Sequence, residues 1–121
     1  MKKILLIEDE PLIQKSLKKL LEKKGADVSI ESSGKMAIEQ IINKDFDRII
    51  CDLMLQDITG FDVIEESKKK FSKEEISEKF IIITAYTSEQ TLNKAEYYGC
   101  RLLGKPFENI NEALKTFLGE N

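Results

Sequence analysis

In the opening stretch "KKILLIEDEP" an apolar run leads straight into three acids, Glu8, Asp9 and Glu10. Other apolar runs end on polar groups too: "DRIICD" on Asp52, "FIIIT" on Thr84 and "RLLGK" on Lys105. The chain contains no histidine, which excludes His-based triads, most zinc sites and any role as a phosphohistidine carrier. Carboxylates, a hydroxyl and an ammonium remain to do chemistry. Two carboxylates about 4 Å apart repel by on the order of 4 kcal/mol at an effective dielectric of roughly 20. They escape by raising a pKa or by binding a hard cation. An all-oxygen donor set favours Mg²⁺, which takes few protein carboxylates and keeps several waters. Three carboxylates (Glu8, Asp9, Asp52) against one ammonium (Lys105) leave two net negative charges, which one divalent cation cancels. A carboxylate beside such a cation, a lysine and a hydroxyl is suited to phosphoryl transfer, in which its oxygen attacks phosphorus to give an acyl phosphate. A single acid at a strand end is ordinarily a helix N-cap. What sets these residues apart is that Glu8, Asp9, Asp52, Thr84 and Lys105 all fall at strand ends.

That convergence requires elements that bring the ends together. Strand-like apolar runs span Lys3–Ile7, Asp27–Ile30, Arg48–Cys51, Phe80–Thr84 and Arg101–Leu103. Helical spacing separates them: Leu12, Ile13, Leu17, Leu20 and Leu21, closed by Gly25; Ile38, Ile41 and Ile42; and Phe61, Ile64, Lys68 and Phe71. A fourth helix over Glu89–Tyr98 is weakly amphipathic, and the last is built on Ile110, Ala113, Leu114, Phe117 and Leu118. Five strands alternating with five helices predict a doubly wound α/β domain with a parallel sheet. In such a sheet ligands bind outside the carboxyl ends of the strands, which puts the five polar groups on one rim.

With 121 residues, 41% hydrophobic and 34% charged, the chain fits one globular domain. Its net charge of −3 argues against a nucleic-acid surface driven by bulk positive charge. Without a membrane-length apolar run or a signal-peptide pattern, a cytoplasmic protein is expected. Cys51 and Cys100 lack CxxC spacing and read as small buried residues, and the lysine run 68–70 with Lys73 reads as a solvated face. The chain ends directly after the last helix, so no output domain is expected within these residues.

The stretches "ILLIEDEP", "DRIICDLMLQDITGFDVI", "FIIITAY" and "LLGKPF" agree in order, spacing and strand phase with one family. The chain resembles the receiver domain of a two-component response regulator, and the resemblance covers essentially all of residues 1–121. It implies a flavodoxin-like sheet in strand order 2-1-3-4-5. It also implies that Asp52 accepts a phosphoryl group from the phosphohistidine of a sensor histidine kinase or a histidine phosphotransfer protein. Asp9 and Glu8 match the acidic pair that holds Mg²⁺, Asp9 directly and Glu8 through water, with the Met54 backbone carbonyl as a further ligand. Thr84 matches the switch hydroxyl and Lys105, before an expected cis Pro106, the lysine that pairs with the phosphoryl group. The resemblance further implies that Met54 and Tyr86 flank the approach of hydrolytic water and slow loss of the phosphoryl group. Output is expected on the face made by the fourth helix, the fifth strand and the last helix, where Tyr97 and Tyr98 lie, while the kinase meets the first helix. Asp57 and Gly60 read as a turn.

Two positions depart from the family pattern. Gln56 stands where proline is common, which should loosen its loop, and Leu102 stands where an aromatic switch residue is usual. The second departure keeps open an alternative, a pseudo-receiver that only binds partners. An aspartyl-phosphate hydrolase would need an acid at position 54, where this chain has Met54. A flavodoxin-like nucleotide binder would need a Ser/Thr/Gly loop where "EDEP" stands.

Overall fold

Each apolar run becomes a parallel strand, because only a sheet covered on both faces can bury residues that are apolar on both sides. The computed structural model describes residues 1–120. In chain order these form β1 (Lys3–Ile7), α1 (Pro11–Lys23), β2 (Asp27–Glu31), α2 (Gly34–Asn43) and β3 (Arg48–Asp52). They continue with α3 (Gly60–Ser67), α4 (Lys73–Lys79), β4 (Phe80–Thr84), α5 (Glu89–Tyr98), β5 (Arg101–Gly104) and α6 (Ile110–Leu118). The sheet has strand order β2-β1-β3-β4-β5, all pairs parallel, as the resemblance implied.

Alternation along the strands splits the core in two. Leu5, Ile7, Ile49, Cys51, Phe80 and Ile82 face α2, α3 and α5, whereas Ile4, Leu6, Ile50, Ile81 and Ile83 face α1 and α6. Both cysteines are free and buried, as expected. The C-cap of α1 lies at Lys24, followed by Gly25 at φ 92°, a conformation that glycine adopts without a Cβ penalty.

The number of helices needs correction: six are described, not five. The spacing Phe61, Ile64, Lys68, Phe71 suggests one long third helix, but α3 stops at Ser67 and Lys68–Lys70 form a turn. A separate helix, α4, then starts from a capping box. The Ser72 hydroxyl accepts from the Glu75 N–H, and the Glu75 carboxylate accepts from the Ser72 N–H. The lysine run is also only partly a solvated face. Lys70 donates to the carbonyls of Ile41 and Lys44 behind α2, and Lys68 lies 5.0 Å above the Tyr98 ring. Leu12, expected on the buried stripe of α1, is 77% exposed, because the fully buried part of that helix lies further along, at Leu17 and Leu21. Leu92 of α5 is exposed as well, in keeping with the weak amphipathicity of that helix. No helix among the described residues is long and apolar enough to cross a membrane.

Candidate functional site

Strand register sets the site. Ile7 pairs with Cys51, so Glu8 and Asp9 leave β1 level with Asp52 at the end of β3. Asp52 pairs with Ile83, which puts Thr84 one step beyond it, and Thr84 pairs with Gly104, which puts Lys105 beyond that. One carboxylate oxygen from each of Glu8, Asp9 and Asp52 lies within 4.8 Å of the others. None of the three caps a helix. The N-cap of α1 is Glu10, which makes no side-chain cap bond, and that of α3 is Thr59.

The Lys105 ammonium joins two of the acids, 3.1 Å from Glu8 Oε1 and 3.4 Å from Asp52 Oδ1. Burial pushes this ammonium down, but the hydrogen bond and charge of Glu8, with the charge of Asp52, outweigh burial and hold its pKa above the usual value. Glu8 is fully buried and its Oε2 has no hydrogen-bond partner among the described residues. Burial first, and the charge of Asp52 second, raise its carboxyl to about 7 against the pull of Lys105. The Gln14 side chain donates to the Glu8 backbone carbonyl and, at 3.0 Å, to Ser32 Oγ, so α1 also fixes the start of this loop.

Above the buried Glu8 lies a cleft of about 370 Å³ lined by Asp9, Asp52, Gln56, Tyr86 and Lys105, with Met54 on its edge. Met54 is 56% and Tyr86 70% exposed, and both line the cleft. Thr84 lies at the same rim, buried, but its hydroxyl is turned into its own loop. It accepts from the Tyr86 N–H at 3.0 Å and donates to the Tyr86 carbonyl at 3.1 Å. The Lys105–Pro106 bond is cis, as expected. Leu102 is not at the rim; it is half-buried and packs on the core beneath α2, α3 and α5. Of the two tyrosines of α5, Tyr97 is exposed. Tyr98 is buried, stacks on Phe61 at 5.7 Å and donates to Glu65 at 2.6 Å.

The donors fit a hard divalent cation. The set is all oxygen, the acids outnumber the one ammonium, and Glu8 Oε2 is a buried oxygen without a partner. Sequence reasoning missed Asp57. The turn expected there carries a carboxylate that binds the N-terminus of α2 across the chain. No local signal links Asp57 to Ser33.

Residues 4–116 match the family model described as "Response regulator receiver domain". The response regulator ArlR of Staphylococcus saprophyticus is 32% identical over 117 residues, which cover 94% of this chain and 50% of that protein. Curated relatives are longer: the chain spans between 13% and 56% of their length. Among solved structures, the non-phosphorylated HemR receiver domain from Leptospira biflexa is 28% identical. It has a TM-score of 0.86, with 98% of this chain and 93% of that one covered. The response regulator TrrA from Thermotoga maritima, solved in complex with Mg(2+)-BeF, is 26% identical with a TM-score of 0.78, covering 97% and 99%. The family match runs through the same strand ends that gather the acids and the lysine, and the chain belongs to the response regulator receiver domain family.

Proposed function

We propose that this chain is a single phosphoacceptor domain over residues 1–121 and that Asp52 takes a phosphoryl group with the help of Mg²⁺. The observation that carries this reading is the Lys105 ammonium held between Asp52 and a buried Glu8 whose second oxygen has no partner. Glu8, Asp9, Asp52 and the Met54 carbonyl would hold the ion. When bound, it neutralises the acids and the charge on the transferring oxygens. The Asp52 carboxylate then attacks phosphorus, and the bond from phosphorus to the donor nitrogen breaks with its electron pair left on the imidazole of a partner's phosphohistidine. Lys105, already 3.4 Å from Asp52, pairs with the incoming group. The domain is a regulatory one: it assists its own phosphorylation and slow dephosphorylation, and catalyses no reaction on a separate substrate.

The switch is assigned to Thr84. Among the described residues its hydroxyl bonds the Tyr86 backbone alone, so turning toward a phosphoryl group on Asp52 exchanges two neutral hydrogen bonds for a charge-assisted one. That rearrangement pulls on the loop leading into α5. With Ala95 and Tyr98 as its buried residues, α5 is held lightly enough to move. Output therefore leaves through the face of α5, β5 and α6, toward a downstream target or an attached output domain. The kinase or phosphotransfer protein docks at α1, where exposed Leu12 stands beside the acids. The cytoplasm is the compartment in which such partners meet the domain.

A second reading, the binding-only pseudo-receiver, draws on Leu102, which gives the fifth strand no ring to couple to Thr84. Incubation with acetyl phosphate, with and without Mg²⁺, separates the two by intact mass. A Mg²⁺-dependent gain of one phosphoryl group in wild type and none in Asp52→Asn supports the first, and no gain in wild type supports the second.

A further inference from the structure

Asp57 lies in the loop between β3 and α3 and is exposed, yet it is one of the most heavily bonded carboxylates in the chain. It accepts from Ser33 Oγ at 2.9 Å, from the Gly34 N–H at 3.0 Å and from the Lys35 N–H at 2.9 Å. These amides belong to the first turn of α2, where backbone donors have no helical partner and the helix dipole favours an anion. Burial alone would raise this carboxyl, but those bonds hold it well below the usual carboxylate range. The fit is close. A Cβ on Gly34 would come within 2.5 Å of Ile58 Cγ1 and 3.2 Å of Leu55 Cδ1, so the loop reaches the helix because residue 34 has no side chain.

The same loop is closed on its inner side. The Gly60 N–H donates to the Leu53 carbonyl at 2.8 Å, Met54 bridges Thr59, and a Cβ on Gly60 would lie 2.9 Å from the Asp52 carbonyl. Among the described residues its outer side has no such backbone bonds to a neighbouring strand or helix other than those made through Asp57. Gln56 gives none of the fixed backbone geometry of a proline; beside the packing of Leu55 and Ile58 against Gly34, the polar fastening of this side is the Asp57 contact with α2. We propose that Asp57 is a positioning residue for the cation: by gripping the N-terminus of α2, it fixes the loop on which the Met54 carbonyl is presented to the ion. This rests on the proposed Mg²⁺-dependent function of the rim. The coupling runs both ways, so the N-terminus of α2 is steadied by the loop that carries Met54.

The expected size follows from populations. A binding site that is competent only a fraction of the time loses apparent affinity by that fraction, so a loop correctly placed about a tenth to a third of the time binds roughly three- to tenfold more weakly. The test measures Mg²⁺ affinity by calorimetry and amide exchange over 53–59 in wild type, Asp57→Ala and Asp57→Asn. Ile41→Val, a buried position of α2, serves as a stability control. Asp57→Ala is expected to weaken Mg²⁺ by that factor and to speed exchange over 53–59, with Asp57→Asn in between. At saturating Mg²⁺ its phosphorylation by acetyl phosphate should return close to the wild-type rate. Ile41→Val should lower the melting temperature and leave Mg²⁺ affinity unchanged. An Asp57→Ala protein that binds Mg²⁺ as wild type does, or an Ile41→Val protein that loses affinity equally, overturns the brace alone. Wild type that binds no Mg²⁺ overturns the function of the rim, and the brace with it.

Discussion

The buried Glu8 makes stability depend on pH in a direction opposite to that of an ordinary paired carboxylate. Its pKa rises from 4.5 to about 7 in the folded, metal-free protein, through burial first and the charge of Asp52 second. The folded state therefore holds this proton where the unfolded state releases it. The contribution is fully present below about 4.5, falls as pH rises through the interval, and is gone above about 7. At 1.36 kcal/mol for each pKa unit, the gap corresponds to about 3 kcal/mol. Carboxyls that shift down, Asp57, Glu65 and Glu75, act in the opposite sense but below their ordinary values, outside this window. Urea unfolding in the presence of a chelator, at steps from pH 5 to pH 8, reads the slope directly. Wild type should lose on the order of 2–3 kcal/mol across that range, whereas Glu8→Gln, which cannot ionise, should be nearly flat and more stable than wild type at the alkaline end. Excess Mg²⁺ should remove most of the wild-type loss, because the ion binds the deprotonated acids. A wild-type stability that is flat or rises between pH 5 and pH 8, or a Glu8→Gln protein with the wild-type slope, would refute the burial argument.

Further outcomes follow from the same geometry. Mg²⁺ at a hundredfold excess over its Kd should stabilise the fold by about 2.7 kcal/mol, and Asp9→Asn should raise the metal-free melting temperature; a melting point that ignores Mg²⁺, and falls in that variant, counts against the cluster. Met54 and Tyr86, exposed at the mouth of the cleft, should slow loss of the phosphoryl group by keeping water away. A Met54→Asn, Tyr86→Glu double variant should then decay roughly 5- to 150-fold faster once the donor is removed, and an unchanged decay excludes these side chains as the brake. Beryllofluoride should alter amide exchange over 89–103 as well as in the loop after Asp52, and changes confined to that loop would remove α5 and β5 from the output route.

The strands were legible because parallel strands buried on both faces read as unbroken apolar runs, and the shared rim then followed from topology. The helix α4 was harder to read, since Phe71 continues the spacing of Phe61, Ile64 and Lys68 past the true end of α3. The Ser72–Glu75 pair that starts α4 is nevertheless a readable capping signal. Leu12 fits the stripe of α1 by spacing, but no helical period shows which turns of a helix the core covers. At the site, the identities of Glu8, Asp9, Asp52 and Lys105 were readable from strand ends. The inward turn of the Thr84 hydroxyl depends on side-chain rotation and the grip of Asp57 on α2 on tertiary approach, so neither leaves a local pattern. Tyr97 and Tyr98 are a partial case, because spacing from Ala95 marks the side but not the partners. Adjacent on one helix, they point in different directions: Tyr98 follows Ala95 onto the buried side, where Phe61 and Glu65 of α3 hold it, and Tyr97 is left 67% exposed.

The most direct test of Asp52 as phosphoacceptor is to trap the acyl phosphate chemically and locate it. Protein incubated with acetyl phosphate and Mg²⁺ is reduced with borohydride, which converts a phosphorylated aspartate to homoserine, then digested and sequenced by mass spectrometry. Homoserine at position 52 and at no other aspartate, dependent on Mg²⁺ and lost in Lys105→Ala or greatly reduced there, is the predicted result. Homoserine at Asp9 or another acid, or none in wild type under conditions where the protein is folded, would contradict it.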